Sequence, residues 1–152
     1  MLLAIDIGNS NITFGLYNGD RELQYHWRIK TDHGRLADEY GIIILGLLRH
    51  EGLRFEQVDG VVMASVVPPL TQTFVRMVER YIKQTPLLVE AGVKTGIKIR
   101  YDSPRDVGAD RICDAVAAYQ LYGGPVCVVD FGTATTFNAI SAQGEYLGGA
   151  IA

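Results

Sequence analysis

The sequence predicts an α/β protein built on a mixed β-sheet, and three observations predict it. The chain opens with three short strands joined by tight turns, then switches to helices alternating with strands, and late on repeats its opening pattern. Helices that connect strands pack on the faces of a sheet, so a meander followed by such units gives a sheet with helical cover.

Residues 2–7 read as a buried strand, and Asn11–Tyr17 alternates polar with apolar side chains as a second strand does. Asn18-Gly19 predicts a type I′ hairpin turn, which needs the positive φ angles these residues tolerate, with Arg21–Ile29 returning as a third strand. From Leu36 to Arg49 the apolar positions Leu36, Tyr40, Ile43, Ile44, Leu47 and Leu48 recur at helical spacing, and Gly52 stops the helix. Val58–Ser65 is a β-rich run ended by Pro68-Pro69, Thr71–Lys83 is helical, and Pro86–Glu90 is a short strand. After a glycine-rich passage, Val107–Tyr122 forms a helix with Ala109, Ile112, Cys113, Val116 and Tyr119-Gln120 on its inner stripe. The order is β-β-β-α-β-α-β-α.

After Gly123-Gly124-Pro125 the pattern restarts, with strands over Val126–Phe131, Thr135–Ile140 and Glu145–Ile151. The reading is a first domain over residues 1–124 and the start of a duplicated second domain over 125–152. The chain thus reads as a portion of a longer protein.

At 152 residues and 48% hydrophobic composition the chain is long enough to bury a core. A formal charge of −3, with Lys and Arg scattered, excludes the basic footprint of a nucleic-acid binder. No apolar run approaches the ~20 residues of a membrane span, and Asp6 comes too soon for a secretory leader. The expected location is the cytoplasm, with no membrane or nucleic-acid partner. Cys113 and Cys127 lack metal-ligand spacing and are expected in the core, and His26, His33 and His50 stand apart from one another.

The chemistry concentrates in three places. Asp6-Ile7-Gly8-Asn9-Ser10 and Asp130-Phe131-Gly132-Thr133-Ala134 each follow an apolar strand with a carboxylate, a turn glycine and small polar residues. Such a turn suits a phosphate with Mg²⁺, through backbone N–H groups, hydroxyls and a carboxylate that holds the ion through water. No lysine follows either turn, so neither is a Walker A loop. Two such turns on duplicated domains can face each other across a cleft and hold a nucleoside triphosphate. The third place is the polar stretch Tyr101–Arg111, which runs into a helix. There Asp110 and Arg111 occupy the first turn, Gly108 permits close approach, and Arg111 can grip a carboxylate with its fork. An aspartate there can orient a hydroxyl for phosphoryl transfer without being a strong base.

With Asp6-x-Gly8-Asn9-Ser10, Gly108-x-Asp110-Arg111 and Asp130-x-Gly132-Thr133-Ala134-x-Thr136 in this order, the chain resembles the type III pantothenate kinases over its whole length. These belong to the superfamily of acetate and sugar kinases and actin, so the resemblance implies an actin-like (ribonuclease H-like) fold. It implies ATP-dependent phosphorylation of pantothenate, the first step of coenzyme A biosynthesis. Carried over by position, Asp6, Ile7, Gly8, Asn9, Ser10, Asn11, Ile12 and Thr13 form the first ATP-binding segment, with Asp6 near Mg²⁺, and Thr133 belongs to the second. Tyr101, Gly108, Ala109, Asp110 and Arg111 match the pantothenate site, with Asp110 as proton acceptor. Asp130 matches the ligand for a monovalent cation, K⁺ or ammonium. Members are homodimers whose substrate pocket is completed across the interface. Asn138 departs from the pattern, which has an aspartate there.

A sugar or acetate kinase of the superfamily would share the two turns but not the Tyr101 and Gly108–Arg111 pattern. A transcriptional accessory factor is the alternative from another class. The net negative charge and the intact Asp110 argue against direct DNA binding.

Overall fold

The computed structural model describes residues 1–101 and 103–152. They form two compact units, Met1–Leu88 and Val89–Ala152.

In the first unit, β1 (Leu2–Ile7), β2 (Asn11–Tyr17) and β3 (Leu23–Lys30) make the expected antiparallel meander. β4 (Gly60–Ser65) then runs parallel to β1, and the two-residue β5 (Leu87–Leu88) parallel to β4, giving the order β3-β2-β1-β4-β5. Alternation along β1 and β2 puts Leu3, Ile5, Ile7, Ile12, Phe14 and Leu16 in the core. α1 (Ala37–His50) begins where the Glu39 carboxylate accepts a 2.8 Å hydrogen bond from Leu36 N–H. Its inner face is Tyr40, Gly41, Ile44 and Leu48, while Leu36 is exposed. Gly41 is required by packing, since a Cβ there would lie 2.7 Å from the Tyr81 ring. Tyr40 also packs on Phe74, with ring centroids 4.5 Å apart.

α2 (Pro68–Met77) starts earlier than the sequence suggests. Pro68-Pro69 ends no strand but opens the helix, where a fixed φ and a missing N–H cost nothing. The helix runs on into a π-helical turn over Val78–Ile82, closed by Lys83 in the left-handed conformation at φ 63°.

The Asn18-Gly19 turn also differs from expectation. Gly19 does not take a positive φ; Arg21 does, at 63°. The Asn18 side-chain oxygen accepts from both Asp20 N–H and Glu22 N–H, and Arg21 N–H donates to Asn18 C=O. This local bonding favours a type I turn followed by a left-handed residue over the type I′ alternative.

The second unit holds β6 (Lys98–Ile99), α3 (Ala109–Tyr122), β7 (Val126–Phe131), β8 (Thr135–Ile140) and β9 (Glu145–Ile151). Its sheet has the order β6-β9-β8-β7. β6 is absent from the sequence expectation because two residues are too few to show a period. It pairs parallel to β9 and is fixed by Arg100 N–H to Tyr146 C=O and an Arg100–Glu145 ion pair, both at 2.8 Å.

The two compact units divide between Leu88 and Val89. The reason is packing: Val107, Ile112 and Ala115 share a buried cluster with Ile140 and Tyr146 of β8 and β9. The inner stripe of α3 is Ala109, Ile112, Ala115 and Ala118. Small residues let the helix lie close to the sheet, while Cys113 and Val116 are half-buried, Val116 against the same cluster. β7 is covered less than its composition suggests. Cys127, Val129 and Phe131 are exposed, so Cys127 is not a core thiol.

Among the described residues no helix is long and apolar enough to cross a membrane.

Burial raises the pKa of Tyr40 in the first unit and Tyr146 in the second above the ordinary 10.0, though Arg111 partly opposes this at Tyr146. A raised pKa means that the fold favours the neutral phenol. This contribution to stability is complete below the unfolded value and is lost as pH rises through the folded one. Urea midpoints measured from about pH 8 to 11 are expected to hold steady and then fall above about pH 10. A flat profile, with all phenols titrating like free tyrosine by ultraviolet absorbance, would contradict the burial of these two side chains.

Candidate functional site

The first turn is built by strand alternation. β1 carries Asp6 between two partners, paired in register with Thr13 of β2 and Ala64 of β4. Because Ile5 and Ile7 face the core, Asp6 must face the other way, and it is exposed. The chain then reverses, with Gly8 N–H donating to Asn11 C=O at 3.0 Å. A Cβ on Gly8 would sit 3.0 Å from that same carbonyl, so glycine suits the tight approach. Asn9, Ser10 and Asn11 are exposed and Thr13 is half-buried.

Two side chains of this segment point inward. Ile7 and Ile12 are fully buried, so only their backbone can meet a ligand. One residue was missed. Thr31, at the end of β3, donates its hydroxyl to Gly8 C=O at 2.7 Å and its N–H to Ser10 C=O at 3.0 Å. It clamps both limbs of the turn and is buried. The only signal for it in the sequence is a hydroxyl residue after a strand, which does not reveal a contact over that distance.

The second turn repeats the plan one residue shorter. Asp130 at the end of β7 pairs in register with Thr136 of β8, and Gly132 N–H donates to Ala134 C=O at 3.2 Å. A Cβ on Gly132 would stand 3.2 Å from the Asp130 carboxylate. Asp130 and Thr133 are exposed. Among the described residues no group of three or more His, Cys, Asp or Glu gathers to hold a metal. Asp6 and Asp130 are thus each one carboxylate among backbone groups. That donor set fits Mg²⁺ kept largely in water and phosphate oxygens, and a weakly held monovalent cation; it does not fit a closed protein cage.

The third predicted cluster lies wholly in the second unit. Asp110, half-buried in the first turn of α3, accepts a 2.7 Å hydrogen bond from Arg111 N–H. Ala109 is buried, leaving its backbone alone as a possible contact. The Arg111 side chain leaves the helix and lies on the sheet. Its Nε donates to Asn138 Oδ1 at 2.7 Å and its Nη2 to Phe137 C=O at 3.3 Å, while its guanidinium carbon lies 5.9 Å from the Tyr146 ring centre. Tyr146 O–H donates to the same Asn138 oxygen at 3.0 Å. A Cβ at Gly149 would overlap both Phe137 C=O and Arg111 Nη2, so only glycine leaves room for this arginine. Tyr101 is exposed, with its ring 3.2 Å from where a Gly148 Cβ would be. Asp102 of the same stretch lies outside the described residues. An open cleft of about 540 Å³ is lined by Ala91, Gly92, Ser103, Pro104 and Asp106 of this segment.

Chemically, the two turns offer exposed carboxylates beside backbone donors, and the start of α3 offers a carboxylate beside an anchored guanidinium. The first kind of site suits phosphate with a hydrated cation; the second suits a ligand with a hydroxyl and an anionic end.

Comparisons with known proteins agree in direction. Residues 2–152 match the family described as Type III pantothenate kinase. The type III pantothenate kinase of Moorella thermoacetica is 57% identical over 152 residues, which is 100% of this chain and 59% of that protein. That of Brevibacillus brevis is 56% identical with the same coverage. The chain thus spans about 59% of the length of these curated relatives. Among solved structures, Porphyromonas gingivalis acetate kinase superposes with a TM-score of 0.52 at 12% identity, covering 99% of this chain and 57% of that one. The inorganic polyphosphate/ATP-glucomannokinase from Arthrobacter sp. strain KM gives 0.50 at 14% identity, covering 96% and 60%. At such identities these two speak for the fold alone, and the fold is actin-like α/β.

Thr31→Val keeps the branched shape and removes the hydroxyl that holds Gly8 C=O. It is expected to cost about 1 kcal/mol in urea unfolding; a change too small to measure would show that the clamp does not hold the turn.

Proposed function

This chain belongs to the type III pantothenate kinase family, and on that basis we propose that the protein transfers the γ-phosphoryl group of ATP to the primary hydroxyl of pantothenate. The product, 4′-phosphopantothenate, enters coenzyme A biosynthesis. The observation that carries this reading is the pair at the head of α3. Asp110 and Arg111 are adjacent, and the Arg111 guanidinium is anchored to Asn138 on the sheet.

In this reading Arg111 receives the substrate carboxylate, with Tyr101 as a wall, and the backbone of Gly108 and Ala109 lines the approach. Asp110 orients the hydroxyl and accepts its proton as the oxygen bonds to phosphorus and the bond from phosphorus to the β,γ-bridging oxygen breaks, releasing ADP. The proton leaves late in a loose transition state, so an ordinary carboxylate suffices. The Asp6–Thr13 segment holds phosphate oxygens through Gly8, Asn9, Ser10, Asn11 and Thr13, and Thr133 adds a hydroxyl. Asp6 would hold Mg²⁺ through water and Asp130 a monovalent cation, K⁺ or ammonium; these ions supply positive charge toward the phosphates. The protein is proposed to act as a cytoplasmic homodimer.

The test uses the full-length protein with ATP and a panel of acceptors. Pantothenate is expected to be phosphorylated far faster than sugars or acetate, and Asp110→Asn to lower kcat by about a hundredfold or more while the fold persists. Sugars or acetate outpacing pantothenate would overturn the assignment, and near-normal turnover in Asp110→Asn would remove Asp110 as the proton acceptor.

A further inference from the structure

Asn138 stands out because it is fully buried and polar, and only half of its amide is used. Its Oδ1 accepts from Arg111 Nε at 2.7 Å and Tyr146 O–H at 3.0 Å, whereas among the described residues its Nδ2 has no partner. The amide orientation follows from its neighbours. Arg111 Nε–H is a donor only, and a flipped amide would set donor against donor. Tyr146 has only its hydroxyl proton to give, and burial keeps the phenol protonated. A polar side chain that leaves one end unsatisfied in the interior does not serve stability best, because each orphaned group carries a desolvation penalty.

The bonds at Arg111 show what the residue achieves. A guanidinium has a side-on edge, Nε with Nη2, and an end-on edge, Nη1 with the second Nη2 proton. Asn138 Oδ1 and Phe137 C=O occupy the side-on edge. Tyr146 stands under the plane, and Gly149 gives it room. The arginine is thereby held at three points, by bonds that leave its end-on edge unused. Neither of these two acceptors carries a charge.

We propose that Asn138 is a positioning residue for the acceptor site, setting the end-on edge of Arg111 to receive the carboxylate of the substrate. This rests on the function proposed above and deepens it, since a freely rotating arginine would have to be ordered at each binding event.

The experiment uses the full-length protein with Asn138→Leu, which removes the acceptor at similar volume, and Asn138→Asp, which keeps an acceptor oxygen in place. Acceptors are pantothenate and its neutral carboxamide analogue, with folding checked by thermal melts. Asn138→Leu is expected to raise KM for pantothenate about tenfold or more, with kcat within about twofold and no change in KM for the carboxamide; Asn138→Asp should restore KM to within about threefold. Should Asn138→Leu not fold, Asn138→Ser takes its place with the same expectation, because its hydroxyl is too short to reach Nε. Unchanged KM in a folded variant lacking the acceptor overturns the inference while leaving the kinase assignment intact. An equal loss with both acceptors marks a merely structural role and overturns it too. Wild-type protein that ignores pantothenate removes the function itself, a result separable from either.

Discussion

The register of β1 is the constraint on which the first unit depends. β1 is central, antiparallel to β2 and parallel to β4, and its inward residues Leu3, Ile5 and Ile7 are all essentially buried. Burying each such side chain stabilises the fold by about 1.5–3 kcal/mol. A slip by one residue would expose all three and drive Asp6 into the core. The hydrophobic pattern that builds the core therefore also holds one carboxylate at a fixed place on the open side, opposite Thr13.

The second unit applies the same logic with less cover. Val126 and Val128 of β7 join the cluster under α3, whereas Cys127, Val129 and Phe131 face outward. Asp130 is again set by register, opposite Thr136. The difference lies in what the helix contributes. In the first unit α1 and α2 supply bulk, with Tyr40 and Phe74 filling the core. In the second, the small residues of α3 bring its first turn close enough for Arg111 to reach β8. Substituting small residues for bulk gives up hydrophobic contact and brings a polar network within hydrogen-bonding distance.

Much of this was legible in the sequence because strong local patterns survived folding. The bounds of β1, β2, β7, β8 and β9 follow from alternation, and the two aspartate turns from glycine after a strand. The illegible features depended on contacts between distant residues or on side chains rewriting local geometry. Asn18 overrode the preferred hairpin turn by bonding two backbone N–H groups itself. Thr31 and Asn138 meet their partners across 23 and 27 positions, where no periodicity carries information. The burial of Ile7 and Ile12 within the first turn segment was also beyond motif reading, since a motif gives adjacency without saying which way each side chain points. The two compact units divide at a place other than the start of the repeat. The repeat marks where a pattern restarts, whereas α3 packs with the strands that come after it.

At position 138 an amide stands where a carboxylate could also accept from Arg111 and Tyr146. An aspartate at this buried point would form an ion pair with Arg111, gaining Coulomb attraction but paying desolvation for a second charge. The amide accepts the same two hydrogen bonds and adds no charge, at the cost of an unsatisfied Nδ2. Thr136, two residues earlier on the same face of β8, likewise has a buried hydroxyl without a partner among the described residues. Two incompletely satisfied polar groups on one strand face beside an anchored arginine are costly for a region concerned only with folding. They are reasonable where the interior has to stay polar enough to hold a guanidinium.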